Sequence, residues 1–302
     1  MAAPMRRLAR SLAAALHLHP AGRSLAAGSG EVRRVAVDSA ALGASVPATI
    51  LLPPSYEGAA ERRYPVLYFL HDARGDEAVL EREGVAARLL AEMGAGRLPE
   101  LLLVAPRGNG AWFVDSFDGT SRYGEFLDRE LVPWVDGRFR TLARREGRAA
   151  AGISMGGYGA LRWSLRRPEL FAVAGGLSAA LQPMSLRMLE EVPFFVRPSL
   201  SRAFGSAWGA NDFRTNDLYQ LLLDDPGLAA RAPRFVLEAG TGDRYHLGEM
   251  ATFFDAFVRS AGGRSEAVLE AGDHDWSYWR RAFLPFVGRL AAALEGAREE
   301  AP

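Results

Sequence analysis

The chain predicts an α/β protein with a mostly parallel, eight-stranded sheet covered by helices on both faces. Three observations carry this. Short β-rich runs alternate with longer helical patterns from Val32 onward, and such alternation implies right-handed crossovers between parallel strands. The first two runs have no helix between them, which predicts an antiparallel edge hairpin. The apolar run 149–153 leads through Gly152-Ile153-Ser154-Met155-Gly156 straight into the helix-forming segment 157–161. That is the strand–turn–helix context of a serine held on a sharp, strained turn.

In chain order, the predicted strands are residues 32–38, 48–52, 66–71, 101–105, 149–153, 172–177, 235–239 and 267–270. Helical spacing follows several of them. Tyr123, Phe126, Leu127, Leu131, Trp134 and Val135 fall on one face, as do Leu247, Met250, Phe254, Phe257 and Val258. A closing helix uses Phe283, Phe286, Val287, Leu290 and Leu294. The segment 181–229 breaks the alternation with Pro183, Pro193, Phe194, Phe195, Pro198, Phe204 and Trp208. Lying after the sixth strand, it reads equally as a cap over the carboxyl end of the sheet or as ordinary packing helices. Residues 31–298 therefore read as one domain with a cap-like insertion. Residues 1–30 carry Arg6, Arg7, Arg10 and Arg23 and no acid before Glu31. Pro20 and Arg23 interrupt their apolar stretch, so they read as a mobile basic arm of a cytoplasmic chain rather than an export signal.

Composition excludes several classes. The 302 residues carry 36 basic and 36 acidic side chains, so no global field recruits nucleic acid or an anionic membrane. With no cysteine, disulfides, thiolate catalysis and cysteine-ligated metals are absent. No apolar run approaches the roughly 18 residues of a spanning helix.

A serine hydroxyl needs a base at neutral pH, and this is most often histidine. Of the five histidines, His274 in Gly272-Asp273-His274-Asp275-Trp276 directly follows the last strand, where reactive loops of such sheets gather. His71 and His246 read better as structural, and His17 and His19 lie in the arm. The base needs a carboxylate on its other nitrogen. Asp243, after the strand 235–239, has the strand-end position; Asp273 and Asp275 compete, but they adjoin His274 along the backbone and point away from its ring. The order Ser154, Asp243, His274 is that of α/β-hydrolases. Two donors for an oxyanion would be the amide of Met155 and one from His71-Asp72-Ala73-Arg74-Gly75, with Ala73 preferred and Asp72 its rival.

Four segments together resemble a known family. They are Tyr64-Pro65-Val66-Leu67-Tyr68-Phe69-Leu70-His71, Trp112-Phe113-Val114-Asp115-Ser116, Gly152-Ile153-Ser154-Met155-Gly156-Gly157-Tyr158-Gly159-Ala160 and Gly272-Asp273-His274-Asp275-Trp276-Ser277-Tyr278-Trp279. They are similar to the esterase family of α/β-hydrolases that includes esterase D (S-formylglutathione hydrolase), tributyrin-type esterases, feruloyl esterases and the antigen 85 mycolyltransferases. The resemblance spans residues 46–290. It implies an α/β-hydrolase fold, no cofactor and no metal, and a Ser154–His274–Asp243 triad. It also implies that Trp276 and Trp279 brace the histidine loop, and that Phe113 and Asp115 lie near the substrate pocket. One departure is Asp72, where many relatives have glycine; a carboxylate turned inward there would oppose a developing oxyanion, so it is expected to point away.

The expected function is hydrolysis of a small-molecule carboxylic ester through an acyl-enzyme. The alternatives are acyl transfer to a sugar or other alcohol, a peptidase, and a non-catalytic binding module on the same fold.

Overall fold

The computed structural model describes residues 30–181, 194, 196–205 and 213–301. The basic arm, and Pro183, Pro193, Phe195 and Trp208 of the insertion, lie outside them. β1 (Glu31–Ser39) and β2 (Ala44–Leu52) form the expected antiparallel hairpin, with Ser39 opposite Ala44. β3 (Val66–Leu70), β4 (Leu102–Pro106), β5 (Arg148–Ile153), β6 (Val173–Leu177), β7 (Arg234–Gly240) and β8 (Ser265–Glu270) complete one sheet in the order β1-β2-β4-β3-β5-β6-β7-β8. β2 runs antiparallel to β4, and β3 through β8 are parallel. All eight expected strands are present. The second starts at Ala44, four residues before its apolar signal, because hairpin pairing carries it through exposed Ala44 and Ser45.

β3, β4, β5 and β6 are buried along their whole length, as parallel strands covered on both faces must be. Among the described residues five helices reach eight residues: α1 (Val85–Gly94), α2 (Met155–Arg166), α3 (Arg197–Phe204), α4 (Leu247–Ser260) and α5 (Trp276–Glu299). Two apolar layers result. Tyr158, Leu161 and Trp163 of α2 join Phe254 and Val258 of α4 on one face. Leu89 and Leu90 of α1 join Phe283, Phe286 and Leu290 of α5 on the other. The closing helix thus buries the stripe its spacing specified. The stripe from Tyr123 is carried by three consecutive pieces, Tyr123–Glu125, a π-helical Phe126–Leu131 and Val132–Arg138. Pro133, with no N–H to donate one turn back, lies in the first turn of the last piece.

The carboxyl ends of β3, β5, β7 and β8 share one edge of the sheet. The loops leaving them hold His71, Ser154, Asp243 and His274.

Candidate active site

Ser154 joins β5 to α2 with φ 56° and ψ −117°, a backbone region costly for a residue with a side chain. Two glycines make the turn possible. A β-carbon on Gly156 would overlap the Leu70 carbonyl of β3, and one on Gly152 would overlap Gly156. The strain is held in place by the Ser154 N–H donating to Leu177 O at 3.0 Å, while its carbonyl accepts from Ala180 N–H at 3.2 Å. Its Oγ donates to His274 Nε2 at 2.9 Å, and His274 Nδ1–H donates to Asp243 Oδ2 at 2.9 Å. The structure therefore brings Ser154, His274 and Asp243 into one hydrogen-bonded chain. The carboxylate fixes the proton on Nδ1 and leaves Nε2 to receive one from the hydroxyl.

The two competing carboxylates are used elsewhere. Asp273 accepts from the N–H of His274 at 2.6 Å, from Arg244 N–H at 3.0 Å and from Arg244 Nε at 3.1 Å. Those bonds tie the Asp243 loop to the His274 loop, and the Arg244 guanidinium holds the Asp273 carboxyl below its ordinary range. Asp275 caps α5, accepting from the amides of Ser277 and Tyr278 at 2.9 and 3.2 Å. Around His274, the rings of Tyr245 and Trp279 each stand edge-on at 4.9 Å. Trp279 Nε1–H donates to Ser178 Oγ at 3.1 Å, and Trp276 packs edge-on against Trp279 at 5.4 Å.

The loop after β3 is fixed by His71, which is 5% exposed. Its Nδ1–H donates to Asp72 O and its Nε2 accepts from Gly108 N–H, both at 2.8 Å. Burial pushes its pKa below the usual histidine value. Asp72, 6% exposed, folds onto its own turn rather than toward solvent. One carboxylate oxygen accepts from Arg74 N–H at 3.2 Å, and the other rests against Gly75, where any β-carbon would lie 2.7 Å from it. Among the described residues, no protein acceptor takes the N–H of Ala73 or of Met155. His246, exposed, caps the start of α4 in a left-handed conformation beside Glu249.

Ser154 and His274 open into a cavity of about 440 Å³. Its walls include Ala73, Met155, Trp112, Val196, Tyr245, Leu247, Trp276 and Trp279, and Asp72 borders it. Phe113 and Asp115 are not among its walls; they line a second cavity of about 280 Å³. The physical reason is that Trp112 and Phe113 both have left-handed backbones, φ 59° and 60°. Trp112 thus turns toward Ser154, where its Nε1–H is anchored by Ser199 Oγ of α3 at 3.0 Å, while Phe113 packs edge-on against His71 and Tyr123. Val196, Tyr245 and Leu247 are pocket residues the sequence alone does not single out. Only the general rule that strand-end loops of such sheets build the site pointed to Tyr245 and Leu247. Among the described residues no cluster of three or more histidine or acidic side chains suits a metal ion, and no helix is long and apolar enough to cross a membrane.

Comparison with known proteins agrees with this architecture. A curated esterase of Mycobacterium tuberculosis is 34% identical over 152 residues, 49% of this chain and 32% of that protein, so the chain spans about a third of that relative's length. A ferulic acid esterase structure superposes with a TM-score of 0.72 at 24% identity, covering 88% of this chain and 99% of that one. An S-formylglutathione hydrolase of Staphylococcus aureus gives 0.70 at 20% identity, covering 87% and 99%; both are likenesses of fold. Residues 39–290 match the family model described as "Putative esterase". With five-sixths of its length inside that match, the chain belongs to this esterase family of α/β-hydrolases.

Proposed function

We propose that the protein is a serine carboxylic-ester hydrolase working through Ser154, His274 and Asp243. The observation that carries this reading is the pair of 2.9 Å hydrogen bonds linking the three side chains at the wall of an aromatic-lined cavity. The Ser154 Oγ attacks the acyl carbon while His274 Nε2 takes its proton, and Asp243 stabilises the imidazolium that forms. The amides of Met155 and Ala73 receive the oxyanion; Met155 stands at the open start of α2, where the helix dipole adds to the hydrogen bond. Asp72 borders the same cavity, and its Oδ2 is held by the Arg74 amide. The imidazolium then protonates the leaving alkoxide, and water, activated by the same imidazole, attacks the acyl-enzyme carbonyl and regenerates the Ser154 hydroxyl. Val196, a described residue of the insertion, stands at the cavity wall and Ser199 anchors Trp112 there, which supports a capping role for that part of the chain.

The test is hydrolysis of p-nitrophenyl esters of graded chain length by wild type and Ser154→Ala, with mass spectrometry of protein quenched during turnover. Ser154-dependent turnover and an acyl increment on Ser154 are expected. Turnover that survives Ser154→Ala would falsify the assignment. An added sugar alcohol that diverts the acyl group from water would identify a transferase instead.

A further inference from the structure

The second cavity, about 280 Å³, is walled by Arg122, Arg129, Arg162 and Arg166 together with Asp115, Glu125 and Asp128. Four arginines face three carboxylates, so the wall carries a surplus of one positive charge. Glu125 is paired to Arg122. Asp128 is engaged by Arg167, which stands outside the cavity wall, at 3.1 Å and by Trp163 Nε1–H at 2.6 Å. Asp115 accepts from Glu125 N–H at 3.2 Å. Arg129, Arg162 and Arg166 form no ion pair among the described residues. Arg162 and Arg166 sit one turn apart on α2, so both project over the same face, and Arg129 belongs to the π-helical turn Phe126–Leu131 that also borders the cavity.

Arg162 is the telling member. Its Nε donates to a neutral acceptor, Asn216 Oδ1, at 2.6 Å. Removal from water lowers its pKa most; Tyr158 pulls the other way, Arg166 lowers it further, and Asp115 and Asp128 oppose more weakly. Arg162 is half-buried, and a partly desolvated guanidinium is ordinarily matched by an anion. The planar fork of arginine suits tetrahedral oxyanions, and several together favour two negative charges over one.

We propose that this cavity binds a phosphoryl group, held by Arg129, Arg162 and Arg166. The site is separate from Ser154 and does not depend on the esterase reading, because it is tested by binding rather than turnover. Inorganic phosphate is titrated into the protein by calorimetry at constant ionic strength, with chloride as control, and vesicles containing phosphatidic acid are tested by co-sedimentation. Arg129→Ala and Arg166→Ala change exposed side chains, so both variants and the double variant are expected to melt near wild type. Each single change weakens binding about tenfold, the loss of one charge-assisted contact. Saturable binding of phosphate, or of the vesicles alone, that the double variant loses supports the site, and the arm that responds names free phosphate or a lipid headgroup as the source. Equal responses to chloride and phosphate, retention of binding by the double variant, or no binding in either arm overturns it.

Discussion

His71 and His274 both follow the carboxyl end of a strand in the same sheet, yet the structure gives them opposite surroundings. His71 spends both ring nitrogens on backbone groups, a carbonyl and an amide, inside the turn after β3. His274 meets a carboxylate on one side and a hydroxyl on the other. An imidazole whose Nε2 accepts from an amide must give up that bond to become charged, and burial adds to the cost. An imidazole between Asp243 and Ser154 has a counter-charge ready for the proton it receives. Address on the sheet does not make a base; the partners of the second nitrogen do.

The comparison breaks most visibly on the His274 side. Ser154→Ala or His274→Ala is expected to lower kcat for ester hydrolysis on the order of 10⁴-fold or more, and the double variant should be hardly worse because the groups act as a unit. Additive losses in the measured kcat values would sink the triad. Asp243→Asn comes next, with a loss of about 10²–10⁴-fold from destabilising the imidazolium and permitting the wrong tautomer; KM should change much less.

On the other side, His71→Ala should act through stability. It leaves the Asp72 carbonyl and the Gly108 amide without their buried partner, at a cost of roughly 2–4 kcal/mol read as a denaturant midpoint shift. The pH dependence sharpens the contrast. Because the His71 pKa is lowered on folding from 6.5, its neutral form stabilises the fold above that pH, and the contribution is lost as pH falls through the folded value. Glu238 works with the opposite sign: burial raises its carboxyl to about 6 despite its pairing with Arg289, so its contribution is lost as pH rises through about 6. In His71→Gln the decline of melting temperature below about pH 6.5 should therefore be shallower than in wild type, while the loss due to Glu238, which runs from about pH 4.5 to about 6, persists. An unchanged acid limb would show that His71 is not the neutral, buried group described. The smallest effect belongs to His246→Ala, an exposed change expected to leave rate and stability within about 0.5 kcal/mol. A large rate loss there would reopen the identity of the base.

Much of this was legible before the structure. The strands announced themselves because buried parallel strands read as uninterrupted apolar runs, as in Val66–Leu70 and Val173–Leu177. Ser154, Asp243 and His274 could be picked because each lies just past the carboxyl end of an expected strand, and the structure joins them by hydrogen bonds. What sequence could not carry was direction. Trp112 and Phe113 are adjacent aromatics with no periodicity to sort them, and only two successive positive φ angles decide which ring meets which cavity. The fate of Asp72 turns on one bond to the Arg74 amide, which composition does not announce. The π-helical turn was hidden because its apolar spacing matches an ordinary helix over so few residues.

That pair of aromatics links the two cavities through one peptide bond. Neighbours in sequence, the two rings serve different cavities, Trp112 the one at Ser154 and Phe113 the one among the arginines. Whatever a ligand among the arginines does to affinity beside Ser154, a substrate beside Ser154 does equally to that ligand, because such linkage is reciprocal.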